Sequence, residues 1–200
     1  MRTLETLEIV GGAPCLDLAN TINSRREPVH DYLQQYADLA GWAVKAGILS
    51  TLKRDRLIKL SEKNTKEADA AMRKALEFRE LIYRLFSSAA RGSRINQADM
   101  ETFVAFYAEA MSHMKLSKKE HYFVFDWPAD ETLDSVLWQI VHSAGQLLLS
   151  KELNRVKECP NCGWLFLDTS KNQSRRWCSM NACGARDKMR RYHARLRGNK

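Results

Sequence analysis

Residues 159–197 read CPNCGWLFLDTSKNQSRRWCSMNACGARDKMRRYHARLR and hold four of the chain's five cysteines. The spacing is Cys159-x2-Cys162, fifteen intervening residues, then Cys178-x4-Cys183. A C-x2-C pair turns the backbone tightly enough for both thiolates to face one centre, and a second pair brought back by a short hairpin completes a tetrahedron. Pro160 fixes φ inside the first turn, and Gly163 permits positive φ just after it. Four soft thiolates without a histidine point to a closed, structural Zn²⁺ site, because a catalytic zinc keeps one position open. The same letters would serve two disulfides, four separate buried thiols or an iron centre. Residues 1–10 carry no secretory signal, since Arg2, Glu5 and Glu8 interrupt any apolar core. A reducing, cytoplasmic setting is therefore expected, and it disfavours disulfides.

The residues after the last cysteine give the metal a purpose. Ala185, Met189, Tyr192 and Leu196 recur at helical spacing and are expected to form one seam facing the zinc hairpin. Arg186, Arg190, His193 and Arg197 run beside that seam, with Lys188, Arg191 and Arg195 on another flank. A charge run is usually a solvated face. Here it is coupled to Arg175 and Arg176 just before Cys178, so two segments tied to one metal both present cations to a polyanion.

The segment resembles the CGNR-type zinc finger. Cys159-Pro160-Asn161-Cys162, Trp164, Phe166, Asp168, Ser170, the run from Arg175 to Met180, and Cys183-Gly184 carry the likeness. The chain departs at the motif's third position, usually Asn, which is Ala185 here. Helical phase puts that position on the apolar seam, so its loss touches a local hydrogen bond near the metal more than a base contact. The resemblance implies a finger that binds DNA, behind a helical N-terminal domain called ABATE found in stress-response transcription regulators. The N-terminus is similar to that domain as well, through Gly11, Gly12, Leu16, Asp17, Asn20, Thr21 and Arg25. The division expected is an ABATE-like regulatory domain over 1–153 and the finger over 154–200.

Charge supports the same division. Of the net +8, residues 151–200 supply +9, from thirteen Lys/Arg against four Asp/Glu, and the first 150 residues net −1. A near-neutral body carrying a cationic device is the pattern of a nucleic-acid reader rather than of a generally adhesive protein. No apolar run approaches membrane-spanning length.

Periodicity predicts a mainly α body with a small β element. Alternation over 4–10 suggests a strand, Gly11-Gly12-Ala13-Pro14 a turn, and Cys15 the start of a helix. Further helices are expected over 32–44, ending at Gly47, over 52–63, over 65–90, after a cap at Asn96, and from Asp130 onward. Gly145 in mid-helix costs about 1 kcal/mol against Ala unless close packing requires it. Residues 121–127 alternate as one strand that would pair with the N-terminal one, and 156–157 with 164–167 frame the first zinc turn. The finger is expected to be treble-clef-like or ribbon-like.

Asp17, Asn20, Thr21 and Arg25 form the second candidate cluster. They are either a polar lock holding the N-terminal segment onto the bundle or the wall of a ligand pocket. Trp42, Phe103, Tyr107 and Trp138 would line such a pocket, although aromatics at helical spacing more often form core. Cys15 reads as a buried free thiol. No phosphate loop, His-based metal motif or nucleophile elbow is present, so enzyme activity is not expected. The function expected is a double-stranded DNA-binding transcription regulator using Zn²⁺, with a helical domain that senses a small-molecule effector or forms a homodimer. The alternative is a zinc-stapled adaptor for RNA or protein, against which stands the lack of evident exposed aromatic pairs for stacking bases.

Overall fold

The computed structural model describes residues 3–26, 30–127 and 132–198. Among these, helices dominate: α1 (Pro14–Ala19), α2 (Tyr36–Lys45), α3 (Thr51–Lys63), α4 (Thr65–Ala90), α5 (Gln97–Ser112), α6 (Ser135–Leu149) and α7 (Ala185–Gly198). Two antiparallel hairpins complete the fold, β1 (Lys115–Lys119) with β2 (Tyr122–Asp126), and β3 (Val156–Glu158) with β4 (Leu165–Leu167).

The spine is α4, whose 26 residues extend about 39 Å at the helical rise. Ala68, Ala71, Met72, Ala75, Phe78, Ile82, Leu85 and Phe86 recur along it at three- and four-residue intervals and are buried. Against this face pack α1, α2, α3 and α5, while α6 lies on α5 and α1. The short helix α1 is enclosed between α4, α6 and β4, with Cys15, Leu16, Leu18 and Ala19 wholly buried. One continuous set of buried side chains runs from Trp42 and Phe78 to Leu165, Phe166 and the four finger cysteines. Caps set the starts: Ser50 Oγ accepts from Lys53 N at 3.3 Å, and Asn96 Oδ1 from Ala98 N at 2.8 Å.

Gly145 is required by packing. A Cβ there would run into the Tyr107 ring, with Cδ2 only 2.9 Å away. That close approach lets α5 and α6 meet, and it explains a glycine in mid-helix. Trp42, Phe103 and Trp138 are core residues, and Tyr107 is half-buried against Gly145. His142 is half-buried beside the rings of Phe125 and Trp127.

Several expectations need correction. The N-terminal stretch forms a 3-10 turn over Leu4–Thr6 rather than a strand, and the Val10 and Gly11 amides are taken by the Asp17 carboxylate. Strand β2 therefore has a different partner. It folds back on β1 through a turn at Glu120 and His121, and places Tyr122, Phe123 and Phe125 in solvent. The sequence hides β1 because Lys-Leu-Ser-Lys-Lys lacks the β-branched and aromatic enrichment of a strand. Helix α2 begins at Tyr36 rather than near 32, because Asp38 Oδ2 accepts from the Gln34 and Gln35 amides and fixes the start there. The expected start at Asp130 lies outside the described residues; α6 runs from Ser135.

Candidate metal centre and basic helix

The metal centre is assembled from two turns. The hairpin between β3 and β4 carries Cys159 and Cys162, closed by Gly163 N donating to Cys159 O at 2.8 Å and Cys159 N to Trp164 O at 2.8 Å. Gly163 has φ +76°, and a Cβ there would sit 2.6 Å from Arg25 Cβ, so glycine is needed for both its backbone and its neighbour. Cys178 precedes a π-helical turn, Met180–Gly184, that contains Cys183 and runs straight into α7. The fourth ligand thus sits where a helix begins, which is the treble-clef-like of the two expected arrangements.

All four sulfurs are buried and lie within 4.8 Å of one another. Cys162 Sγ is 3.5 Å from Cys178 Sγ, which is 3.6 Å from Cys183 Sγ. A tetrahedron with Zn–S bonds near 2.3 Å has edges of about 3.8 Å, close to these two separations, so the donor set fits zinc. Crowding makes the thiols share protons. Bonds from the other three push Cys159 below the ordinary thiol range, while a bond to Cys159 pushes Cys162 above it. Cys159, Cys162, Cys178 and Cys183 would hold a dication as four thiolates, which would relieve this crowding and add binding free energy to folding. Cys15 stands apart: burial pushes its thiol up to about 12, and it is inert.

Asp168 organises the loop between the two pairs. Its Oδ1 accepts from Ser170 N at 2.9 Å and Ser170 Oγ at 2.6 Å, and its Oδ2 from Lys157 Nζ at 2.6 Å and Arg175 N at 3.0 Å. Burial would raise its pKa, but these donors prevail and hold the carboxyl well below the usual range.

The finger is stitched to the body along residues 20–25. Asn20 Oδ1 accepts from Leu165 N at 2.9 Å and Asn20 Nδ2 donates to Leu165 O at 2.8 Å. Trp164 Nε1 donates to Ile22 O at 2.6 Å, and Arg25 N donates to Cys162 O at 2.7 Å. Thr21 Oγ1 donates to Leu18 O at 2.8 Å, and Asp17 holds the Gly11 turn, whose carbonyl accepts from Leu167 N at 2.8 Å. Burial pushes the Asp17 carboxyl up to about 6 against the two amides it accepts. The Arg25 guanidinium donates to Ala19 O at 2.6 Å and to Glu80, and lies 4.1 Å over the Tyr83 ring. Asp17, Asn20, Thr21 and Arg25 are thus brought together as a polar lock. Sequence reasoning missed the lock's other half: buried Arg79 donates two parallel bonds to Asp31, at 2.8 and 2.7 Å, and one to Glu80 at 2.9 Å. Arg79 sits on the apolar line of α4, and a charge at a core position was the signal available.

The basic residues divide by environment. Arg175 is half-buried: its guanidinium stacks 4.5 Å from the Phe166 ring and donates to Trp177 O at 3.0 Å and to Cys178 O. Arg176 is exposed, 5.0 Å over the Trp177 ring. On α7, Arg186, Lys188, Arg190, Arg191 and Arg195 are all exposed. Buried Asp187 pairs with Arg190 at 2.6 Å and Arg191 at 2.9 Å. The expected apolar seam does not face the hairpin. Met189, Tyr192 and Leu196 are 56, 57 and 53 % exposed, because α7 leaves the body after its first turn. A cleft of about 670 Å³ opens beside the finger, where Arg26 and Arg91 join Lys157, Arg175 and Arg176 around Glu158. Sequence reasoning missed Arg26 and Arg91 because they lie far from the basic tail.

A family model described as "putative stress-induced transcription regulator", ABATE, matches residues 12–151. The chain belongs to the ABATE family. Residues 155–196 match the CGNR zinc finger model, so the four-cysteine site of this ABATE protein is a zinc centre. Both families are of regulator and zinc-finger kinds rather than enzymes. A search of curated proteins finds no match. Among the described residues, no helix is long and apolar enough to cross a membrane.

Proposed function

We propose that this ABATE protein is a transcription regulator that binds double-stranded DNA through its C-terminal finger, with the helical body carrying and orienting that finger. The observation that carries the reading is α7: it starts one residue beyond the turn that holds Cys183, projects from the body, and exposes its cations. Zinc supplies the rigidity that a segment of about forty residues cannot obtain from its own core. Arg186 and Arg190, one turn apart, are assigned to guanine edges, and Lys188, Arg191 and Arg195 to phosphates. The Asp187 carboxylate holds Arg190 and Arg191 on one side, which lowers the entropy lost when they bind. We assign Arg175 to ordering the loop that presents Arg176. The cleft containing Arg26 and Arg91 extends the cationic surface onto the body.

The inward hydrogen bonds of Asp17, Asn20, Thr21 and Arg25 favour the lock over an effector pocket at that cluster. The test is selection of bound fragments from random duplex DNA by zinc-loaded protein, with structured RNA as competitor. Enrichment of a duplex motif is expected. Preferential recovery of RNA, or of neither, would overturn the reading.

A further inference from the structure

The β1–β2 ribbon presents an uncovered apolar surface: Leu116 is 62 % exposed, Tyr122 62 %, Phe123 64 % and Phe125 50 %. A two-stranded ribbon has two open edges and is marginal by itself. These edges are chemically unequal. Strand β1, Lys-Leu-Ser-Lys-Lys, is guarded by three ammonium groups, the usual defence of an edge. Strand β2, Tyr-Phe-Val-Phe-Asp, has one charge, at its far end. We propose that β2 pairs antiparallel with β2 of a second copy of this chain, centred on Val124, to form a four-stranded sheet across a twofold axis.

The register follows from the hairpin itself. Lys119 opposes Tyr122 across the two-residue turn at Glu120 and His121, and Glu120 has φ +31°. Such a turn closes on a hydrogen-bonded pair, and the pairs then alternate. Ser117 with Val124 and Lys115 with Asp126 are therefore also bonded within the ribbon. The amides and carbonyls of Phe123 and Phe125 are left pointing at the open edge. Centred on Val124, Phe123 exchanges two backbone bonds with the partner's Phe125, and the reverse pair does the same. Aromatic pairs across strands are favourable, and Tyr122 then faces the partner's Asp126, a donor opposite an acceptor. Centring on Phe123 instead would set Asp126 against the partner's Glu120, both acidic. Centring on Phe125 would require Phe123 to meet the partner's Trp127, which is buried in its own body. Pairing through β1 sets Lys115 against the partner's Lys119. Only one register satisfies every position, and its self-complementarity points to a second copy as the occupant.

The experiment is sedimentation equilibrium on zinc-loaded full-length protein without nucleic acid, so it is independent of the DNA reading. The expected mass is twice 23.0 kDa. Phe123→Lys, which guards β2 as β1 is guarded, should weaken association about a hundredfold, since each dimer loses two aromatic pairs and gains two charges. Its circular dichroism and zinc content should stay unchanged. Val124→Cys tests the register: antiparallel non-bonded positions lie about 4.5 Å apart at Cα, within disulfide reach. Mild oxidation should link Val124→Cys into a covalent dimer and leave Ser117→Cys monomeric. A monomer throughout the micromolar range overturns the proposal. So does a dimer indifferent to Phe123→Lys, a Val124→Cys variant that does not cross-link, or a monomeric ribbon that captures single-stranded oligonucleotide on its aromatics.

Discussion

Replacing Asn20 with Ala isolates the joint between body and finger. The side chain is 1 % exposed, and its two amide atoms are matched to the amide and carbonyl of Leu165, at 2.9 and 2.8 Å. It therefore extends the edge of β4, as Gly11 O does two residues along by accepting from Leu167 N. Alanine is too short to reach either group. A buried backbone group left without a partner costs about 1–3 kcal/mol, so two give about 2–6 kcal/mol, with about 4 kcal/mol as the centre. For a chain of this size each kcal/mol lowers the melting temperature by about 2–4 °C, so the expected drop is about 8–16 °C. The assay is urea unfolding and calorimetry at saturating zinc, because free metal adds its own linkage. Asn20→Asp should be no milder: it keeps one acceptor, loses the donor to Leu165 O and brings a charge into the core. A loss below about 1 kcal/mol for Asn20→Ala would show that the amide is not spent on Leu165, and would refute the lock.

Three further outcomes are expected. Asp168→Asn should destabilise the protein near neutral pH: the folded carboxyl is held below its ordinary value, so its contribution is present above about pH 4 and fades as pH falls through that range; the gap in urea midpoints between wild type and variant should narrow between about pH 7 and pH 3. Gly145→Ala should lose stability by up to about 2 kcal/mol, because an overpacking cost of about 1–3 kcal/mol against the Tyr107 ring outweighs the helix-propensity gain of about 1 kcal/mol, and urea midpoints decide it. Lys188→Ala should weaken binding to every duplex alike and flatten the slope of log affinity against log salt by about one unit, and an unchanged slope would remove its phosphate role.

What could be read from sequence followed chemical repetition. Thiolate spacing located the metal centre because four soft ligands at these intervals have few other uses. The period of Phe78, Ile82, Leu85 and Phe86 beside Met72, Leu76 and Tyr83, closed by Arg91-Gly92-Ser93, locates α4, and the observed Thr65–Ala90 agrees. Asp17 and Asn20 stood out because polar side chains in an apolar stretch need partners; those of Asp17 are the nearby Val10 and Gly11 amides, but that of Asn20 is Leu165 on β4, 145 residues further along. The Arg79–Asp31 pair escaped for the same reason, since nothing local in α4 announces a carboxylate from another segment. The α7 seam failed differently. Its period is helical, but periodicity reports an apolar face and not what covers it. Strand β2 shows the same gap: its alternation is strand-like, yet Tyr122, Phe123 and Phe125 face solvent, because the ribbon it forms with β1 leaves them uncovered.

The division of polar groups separates holding from gripping. Donors are spent across the joint and on both sides of it: Trp164 on Ile22 across it, the Arg25 guanidinium on Ala19 and Glu80 within the body, and Arg175 on Trp177 and Cys178 and Lys157 on Asp168 within the finger. Cations committed in this way fix the shape of the parts on either side, Arg25 within the body and Arg175 and Lys157 within the finger, because buried paired groups tolerate one geometry and penalise others. Arg176 faces water over the Trp177 ring, and on α7 the cations face water and are tied at most to Asp187, a partner close by in sequence on the same helix. Exposed pairs of that kind add little stability, of the order of 1 kcal/mol or less, so they can be exchanged for another anion at small cost. A net +9 concentrated in residues 151–200 thus does two jobs that composition alone cannot tell apart. The inward Arg175 and Lys157 fix the shape of the loop that carries the second cysteine pair, and the outward ones remain available to whatever anion the helix meets.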